Sequence, residues 1–225
     1  MHWPAATIGY VSVPPSDYDR EYALRHSVAA DNWLFDTLLA LLAPQPGWRI
    51  LDVGCNTGEF TARLAVLQCQ MVGIDLNPAA IALAQERFPQ LAFRVAELAE
   101  IPEVDFDAII ASHVIEHLAE PEKFLREAHR RLKRGAKLVI ATPNRHAFLH
   151  KLVNRLRGAP FFDDPTHHHL FAPRELSRLV TQAGFASVQV TTYPLYVPVA
   201  GFVGRHVPTF GMGDHMFINA ATTGP

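Results

Sequence analysis

Residues 48–60 read WRILDVGCNTGEF, and they restrict the fold more than any other part of the chain. An apolar run at 50–53, interrupted by Asp52, enters a loop framed by Gly54 and Gly58 that encloses Cys55, Asn56 and Thr57. A helical segment then opens at Glu59 and Phe60. Strand, glycine-framed loop and helix in that order form a ligand cradle: glycine lets the backbone approach a bound group, and the first N–H groups of a helix point at it. A second apolar run, Met71-Val72-Gly73-Ile74, ends on Asp75. This carboxylate follows the loop by about 20 residues, the spacing at which a neighbouring parallel strand delivers an acid to a ribose diol. The dinucleotide pattern G-x-G-x-x-G is not spelled, because Asn56 stands at the middle position. Asparagine tolerates unusual backbone angles better than most residues, so the loop survives the change.

Around this pair the chain alternates strands and helices. Helices are expected at 18–42, where Val28, Leu34, Leu38 and Leu42 recur near a 3.6 period, and at 60–67, 78–88, 121–132, 147–157 and 173–183. Strands are expected at 92–95, 106–111, 137–141, 187–193 and 216–220. Gly135 suits the stop of the 121–132 helix, and the basic residues Arg130, Arg131, Lys133 and Arg134 suit its solvated C-terminal end. Such alternation implies a parallel sheet with helices on both faces and a ligand crevice beyond the carboxyl ends of the strands. Residues 158–169 (GAPFFDDPTHHH) form an insertion-like loop, and the proline-broken apolar segment 195–210 suits a lid.

A chain of 225 residues fits one α/β domain. With a formal charge of −2 it has no broad basic field, so nucleic acid is not the expected partner. Two cysteines, Cys55 and Cys69, point to a reducing compartment rather than a disulfide framework. The start MHWPAATIGY lacks a basic region followed by an apolar core, and no apolar run reaches membrane-spanning length. A cytoplasmic protein without membrane insertion is expected.

DVGCNTG followed by GIDLNP resembles the class I S-adenosylmethionine-dependent methyltransferases, over residues 17–221 and most closely over 49–144. The resemblance implies a Rossmann-like α/β fold: a doubly wound, mostly parallel seven-stranded sheet with helices on both faces and the last strand antiparallel. It implies a single domain over 1–225, with an N-terminal helical lid at 1–42, a donor-binding half at 43–144 and an acceptor-side half at 145–225. The cofactor is then S-adenosylmethionine. Asp52 approaches its methionine part, and Asp75 takes the ribose hydroxyls. Leu76, Ala96 and Glu97 meet the adenine, while Gly54, Cys55, Asn56, Gly58 and Ser112 line the rest. Tyr18, Tyr22, Arg25 and His26 are candidate lid residues.

Methyl transfer from a sulfonium is an in-line displacement, helped at a hydroxyl acceptor by a base near neutral pKa. Ser112-His113-Val114-Ile115-Glu116-His117 follows the fourth strand, where an acceptor lies, and His167-His168-His169 stands before Leu170-Phe171. The base is expected at His113, then His117, then His169. A small-molecule acceptor, methylated at oxygen, is expected, since the Asn-Pro-Pro-aromatic motif of nucleic-acid N-methyltransferases is replaced by Ala-Ser-His-Val at 111–114. The segment also resembles the ubiquinone-pathway O-methyltransferases, which carry a divalent metal there. His113, Glu116 and His117 have the i, i+3, i+4 spacing of one helical face. Those enzymes have an acid where His113 stands, and no metal is expected here.

Overall fold

The computed structural model describes residues 32–147, 167–193, 195–197, 201–203 and 214–223. In chain order its elements are α1 (Asn32–Leu42), β1 (Arg49–Val53), α2 (Glu59–Ala65), β2 (Gln70–Asp75), α3 (Pro78–Arg87), β3 (Ala92–Val95), β4 (Phe106–Ser112), α4 (Pro121–Arg131), β5 (Leu132–Pro143), α5 (Pro173–Gln182), β6 (Phe185–Tyr193), β7 (Leu195–Val197), β8 (Gly201–Val203) and β9 (His215–Thr222). Short 3-10 turns stand at Leu98–Glu100 and Ile115–His117. The expected lid residues Tyr18, Tyr22, Arg25 and His26 lie outside the described residues, as do the expected helix beyond 147 and most of the loop 158–169 and the segment 195–210.

Seven strands form one sheet in the order β3-β2-β1-β4-β5-β9-β6. The first five pair in parallel, and β9 runs antiparallel to both β5 and β6. Strands β7 and β8 pair separately. The doubly wound arrangement with an antiparallel last strand is the one expected.

Side chains alternate across the sheet and so divide the core in two. Ile50, Ala108, Ile110, Val139, Ala141 and Phe217 pack under α1 and α2, against Leu38, Leu42, Phe60 and Leu64. Leu51, Val53, Ile109, Ala111, Leu138 and Ile140 pack on the other face under α4 and α5, against Leu125, Ala128, Leu176 and Val180. The end of α1 is tied to the sheet by polar atoms: Lys137 Nζ donates to Leu42 O at 2.7 Å and Asn219 Nδ2 to Leu41 O at 3.3 Å. These contacts satisfy C-terminal carbonyls that a helix cannot pair itself. Among the described residues no helix is long and apolar enough to cross a membrane.

The junction of α4 and β5 departs from expectation. The helix ends at Arg131 and the strand begins at once, so Gly135 stands inside β5 with φ 72° rather than closing the helix. Arg131 is not part of a solvated end. Its guanidinium turns inward to Ala99 O at 3.0 Å and Ile101 O at 3.0–3.2 Å. Pairing with β4 jumps from Leu132 opposite Phe106 to Lys137 opposite Ala108, and Thr222 clasps the resulting bulge. Its hydroxyl donates to Lys133 O at 2.6 Å and accepts from Ala136 N at 3.1 Å. Thr222→Val leaves a buried N–H without its acceptor, and should cost about 1–3 kcal/mol in urea unfolding.

Candidate active site

The donor loop is held by its own chain. The N–H groups of Gly54 and Cys55 both donate to Ile74 O, at 2.8 and 3.0 Å, and Gly58 N donates to Cys55 O at 3.0 Å. Asp75 closes the loop from the next strand, accepting from Asn56 N at 2.9 Å through Oδ2 and from Asn77 N at 2.8 Å through Oδ1. The N–H groups of Gly54, Cys55, Asn56 and Gly58 thus have partners within the chain. Asn56 takes the left-handed conformation, φ 47°. The glycines are required by packing as much as by any ligand. A Cβ on Gly54 would meet Val114 Cγ2 at 2.4 Å, and one on Gly58 would meet the Phe93 ring at 2.7 Å.

Two carboxyls stand at this end of the sheet. Asp52 is buried, and its Oδ2 accepts from Thr61 Oγ1 at 2.6 Å. Burial pushes its pKa up to about 7 against the Thr61 hydrogen bond, with the nearby Asp75 charge adding to the rise. Burial also raises the Asp75 carboxyl, although backbone N–H donors pull it down. The Cys55 thiol, buried beside both acids, is pushed well above its ordinary value and stays protonated. Ala96 joins the site through its N–H to Asp75 O at 3.2 Å, whereas Glu97 is exposed and heads the 3-10 turn, its N–H donating to Glu100 Oε2 at 2.8 Å. The Ser112 hydroxyl is buried at the end of β4 without a partner among the described residues.

The acceptor end is organised by Glu116. It is wholly buried, with Oε1 at 3.1 Å from His113 Nδ1 and Oε2 accepting from Thr142 Oγ1 at 2.9 Å. Its carbonyl accepts from His168 N at 2.8 Å and His169 N at 3.0 Å. Burial raises the carboxyl, and the hydrogen bond and charge of His113 with the charge of His117 outweigh it, holding the acid below its ordinary value. His113 has φ 55°, is anchored by its N–H to Ala141 O at 2.8 Å, and leaves 34% of its side chain exposed. Its ring meets His215 edge-on at 5.3 Å, and Trp33 of α1 meets His215 at 5.7 Å. His117 packs on His167 at 4.7 Å, and His169 stacks on Phe171 at 5.4 Å.

The one-face helical arrangement of His113, Glu116 and His117 is not formed. Only Ile115–His117 makes a 3-10 turn, with His113 outside it in a left-handed conformation. Ligand-type atoms of Glu116, His117 and His167 instead lie within 4.8 Å of one another. All three expected bases are brought to one end of the sheet, but Thr61, Thr142, His167 and His215 were not singled out as site residues. Thr61 stands three residues past Gly58, in the first turn of α2, and Thr142 stands at a strand end, where a search for polar residues at carboxyl ends would have found it. His215 lies about 100 residues from His113, and only the β5–β9 pairing brings it near.

A family model described as methyltransferase domain matches residues 20–190. The chain belongs to that family. A probable S-adenosylmethionine-dependent methyltransferase of Mycobacterium tuberculosis is 30% identical over 183 residues, 80% of this chain and 61% of the relative. The chain thus spans about three fifths of that relative's length. A ubiquinone biosynthesis O-methyltransferase of Xanthomonas axonopodis is 32% identical over 163 residues, covering 68% of each. The Haloferax volcanii chain solved with the Trm112 methyltransferase activator superposes with a TM-score of 0.70 at 16% identity, covering 93% of this chain and 97% of that one. At that identity the likeness concerns the fold.

The cofactor of this methyltransferase domain is S-adenosylmethionine. The residues present fit it. The Ser112 hydroxyl lacks a partner among the described residues, and the Asp75 carboxylate, with four lone-pair sites, can accept beyond its backbone donors. Asp52 offers a buried acid poised to ionise beside a cation.

Two outcomes follow from these carboxyls. Asp75→Ala should weaken S-adenosylhomocysteine binding by about 2–4 kcal/mol in calorimetry. Asp52 keeps its proton in the fold to about pH 7, whereas an unfolded aspartate loses it near 3.8, so ligand-free stability should fall as pH rises across that window. A ligand ammonium favours the ionised form. Binding should therefore tighten from pH 6 to pH 8 with release of a proton, and Asp52→Asn should flatten the dependence.

Proposed function

We propose that this domain transfers the methyl group of S-adenosylmethionine to a hydroxyl oxygen of a small molecule, with His113 as general base. The observation that carries the reading is His113 itself: a partly exposed imidazole at the carboxyl end of β4, backed by a buried acid. His117 and His169 come second, because it is His113 whose ring nitrogen lies 3.1 Å from the buried Glu116 carboxylate. The O-methyltransferase name of the Xanthomonas relative supports oxygen as the target.

Bound S-adenosylmethionine supplies an electrophilic methyl on a sulfonium. Asp75 takes the ribose hydroxyls and Asp52 the ammonium. Leu76, Ala96 and Glu97 form the adenine side, and Gly54, Cys55, Asn56, Gly58 and Ser112 complete the wall. Residues 43–144 thus hold the donor, while 145–225 shape the acceptor pocket. His113 receives the hydroxyl proton as the oxygen bonds to the methyl carbon, and the carbon–sulfur pair returns to sulfur. Alignment supplies much of the acceleration and the base roughly a further 100-fold.

A panel of small hydroxylated molecules with labelled donor tests the reading. His113→Ala should lower turnover on the true acceptor by roughly 100-fold, leave S-adenosylhomocysteine affinity little changed, and follow wild type in its indifference to chelator. Near-wild-type turnover would remove His113 as base and pass the role to His117 or His169. Normal donor binding with no acceptor methylated would favour a silent donor-binding module instead.

A further inference from the structure

We propose that Glu116 is a positioning residue: its buried carboxylate accepts a hydrogen bond from Nδ1–H of His113 and holds the ring as the tautomer whose Nε2 accepts the acceptor's proton. The inference rests on His113 being the base. An ionised carboxylate only accepts hydrogen bonds, so the 3.1 Å contact places a proton on Nδ1 and, in the neutral ring, leaves the lone pair on Nε2. The acid cannot swing away. Thr142 Oγ1 grips its second oxygen at 2.9 Å, and it has no exposure to solvent. The ring is held from the backbone as well, by the left-handed His113 conformation and its N–H to Ala141 O. Strained backbone of this kind persists where the surroundings fix it and is concentrated at functional sites.

Glu116 also joins the base to the acceptor side. Its carbonyl takes the N–H groups of His168 and His169, which lead into α5, so one residue fixes both the imidazole and the segment facing it. Among the described residues, the titratable groups around His113 are Glu116 and His117 on the turn that follows it, His215 on β9, and His167 behind His117. As the acceptor oxygen bonds to the methyl carbon and the carbon–sulfur pair returns to sulfur, its proton passes to Nε2. The resulting imidazolium then lies against the Glu116 carboxylate, which compensates its charge.

Long-range proton–nitrogen NMR of the histidine-labelled chain with S-adenosylhomocysteine reads the tautomer directly and needs no acceptor. At pH 8 the expected result is His113 protonated at Nδ1 alone. Glu116→Gln, which can offer either a carbonyl or an amide, should give mixed tautomers, lower turnover by about 10- to 100-fold, and move the acid limb of the pH–activity profile to lower pH. S-adenosylhomocysteine affinity should stay within about twofold, and the substitution should add nothing in a His113→Ala background. If Glu116→Gln does not fold, the wild-type spectrum and Thr142→Val, expected to loosen the same tautomer, carry the test. An Nε2-protonated His113 in wild type overturns the inference, as does an unmoved pH profile in a folded Glu116→Gln. So does loss of activity with a chelator, which would assign Glu116 to His117 and His167. Wild-type turnover by His113→Ala would instead sink the base assignment, whatever tautomer is observed.

Discussion

The site depends on where the chain leaves two adjacent parallel strands. Strand β1 lies between β2 and β4, and its continuation α2 packs on one face of the sheet while α4, after β4, packs on the other. The loops after the two strands line the gap between their ends. The gap is narrow, because Val114 from the β4 loop occupies the space a Gly54 side chain would need. The donor loop and the acceptor turn are thus in van der Waals contact.

Each side of that gap is locked by one acid at its centre, and the two acids differ in what they face. Asp75 takes two backbone N–H groups from neighbouring turns, so it fixes the donor loop before any ligand arrives. Glu116 takes a threonine hydroxyl and an imidazole, and its backbone gathers a third segment. Asp52 is different again: buried, with the Thr61 hydroxyl donating to it, it keeps its proton to about pH 7. The three carboxyls of this loop system are thus not shifted alike: Asp52 and Asp75 are raised and Glu116 is lowered. Burial raises each of them, and the donors and charges each one meets decide whether that rise is offset, as it is at Glu116, or left standing, as at Asp52.

Much of this was legible in the sequence where local chemistry and long-range pairing agree. The spacing of Gly54, Gly58 and Asp75 anticipates the strand–loop–helix and its acid, and β3 begins and ends at the expected residues, 92 and 95. Two kinds of detail were not legible. The first is where a residue with a strong local preference is overruled by packing: Gly135 and the basic run after Arg130 signal a helix end, but Arg131 finds buried carbonyls and Thr222, nearly ninety positions later, clasps a bulge. The second is the company each site residue keeps. That His113 meets His215 and that His117 meets His167 follows from sheet order and loop return, which no spacing encodes.

The same reasoning explains why i, i+3, i+4 spacing misled at 113–117. That spacing places three side chains on one face only if the backbone is helical through all five residues. At His113 the N–H is drawn to Ala141 O on β5, and the residue turns left-handed. The 3-10 turn starts two residues later. His113 therefore reaches Glu116 from outside the turn, with Nδ1 first, while His117 swings to His167. A helix would have pointed both imidazoles the same way. The break separates them, giving one histidine to the exposed gap and the other to a buried-acid cluster, so that a single carboxylate stands between two imidazoles in different surroundings.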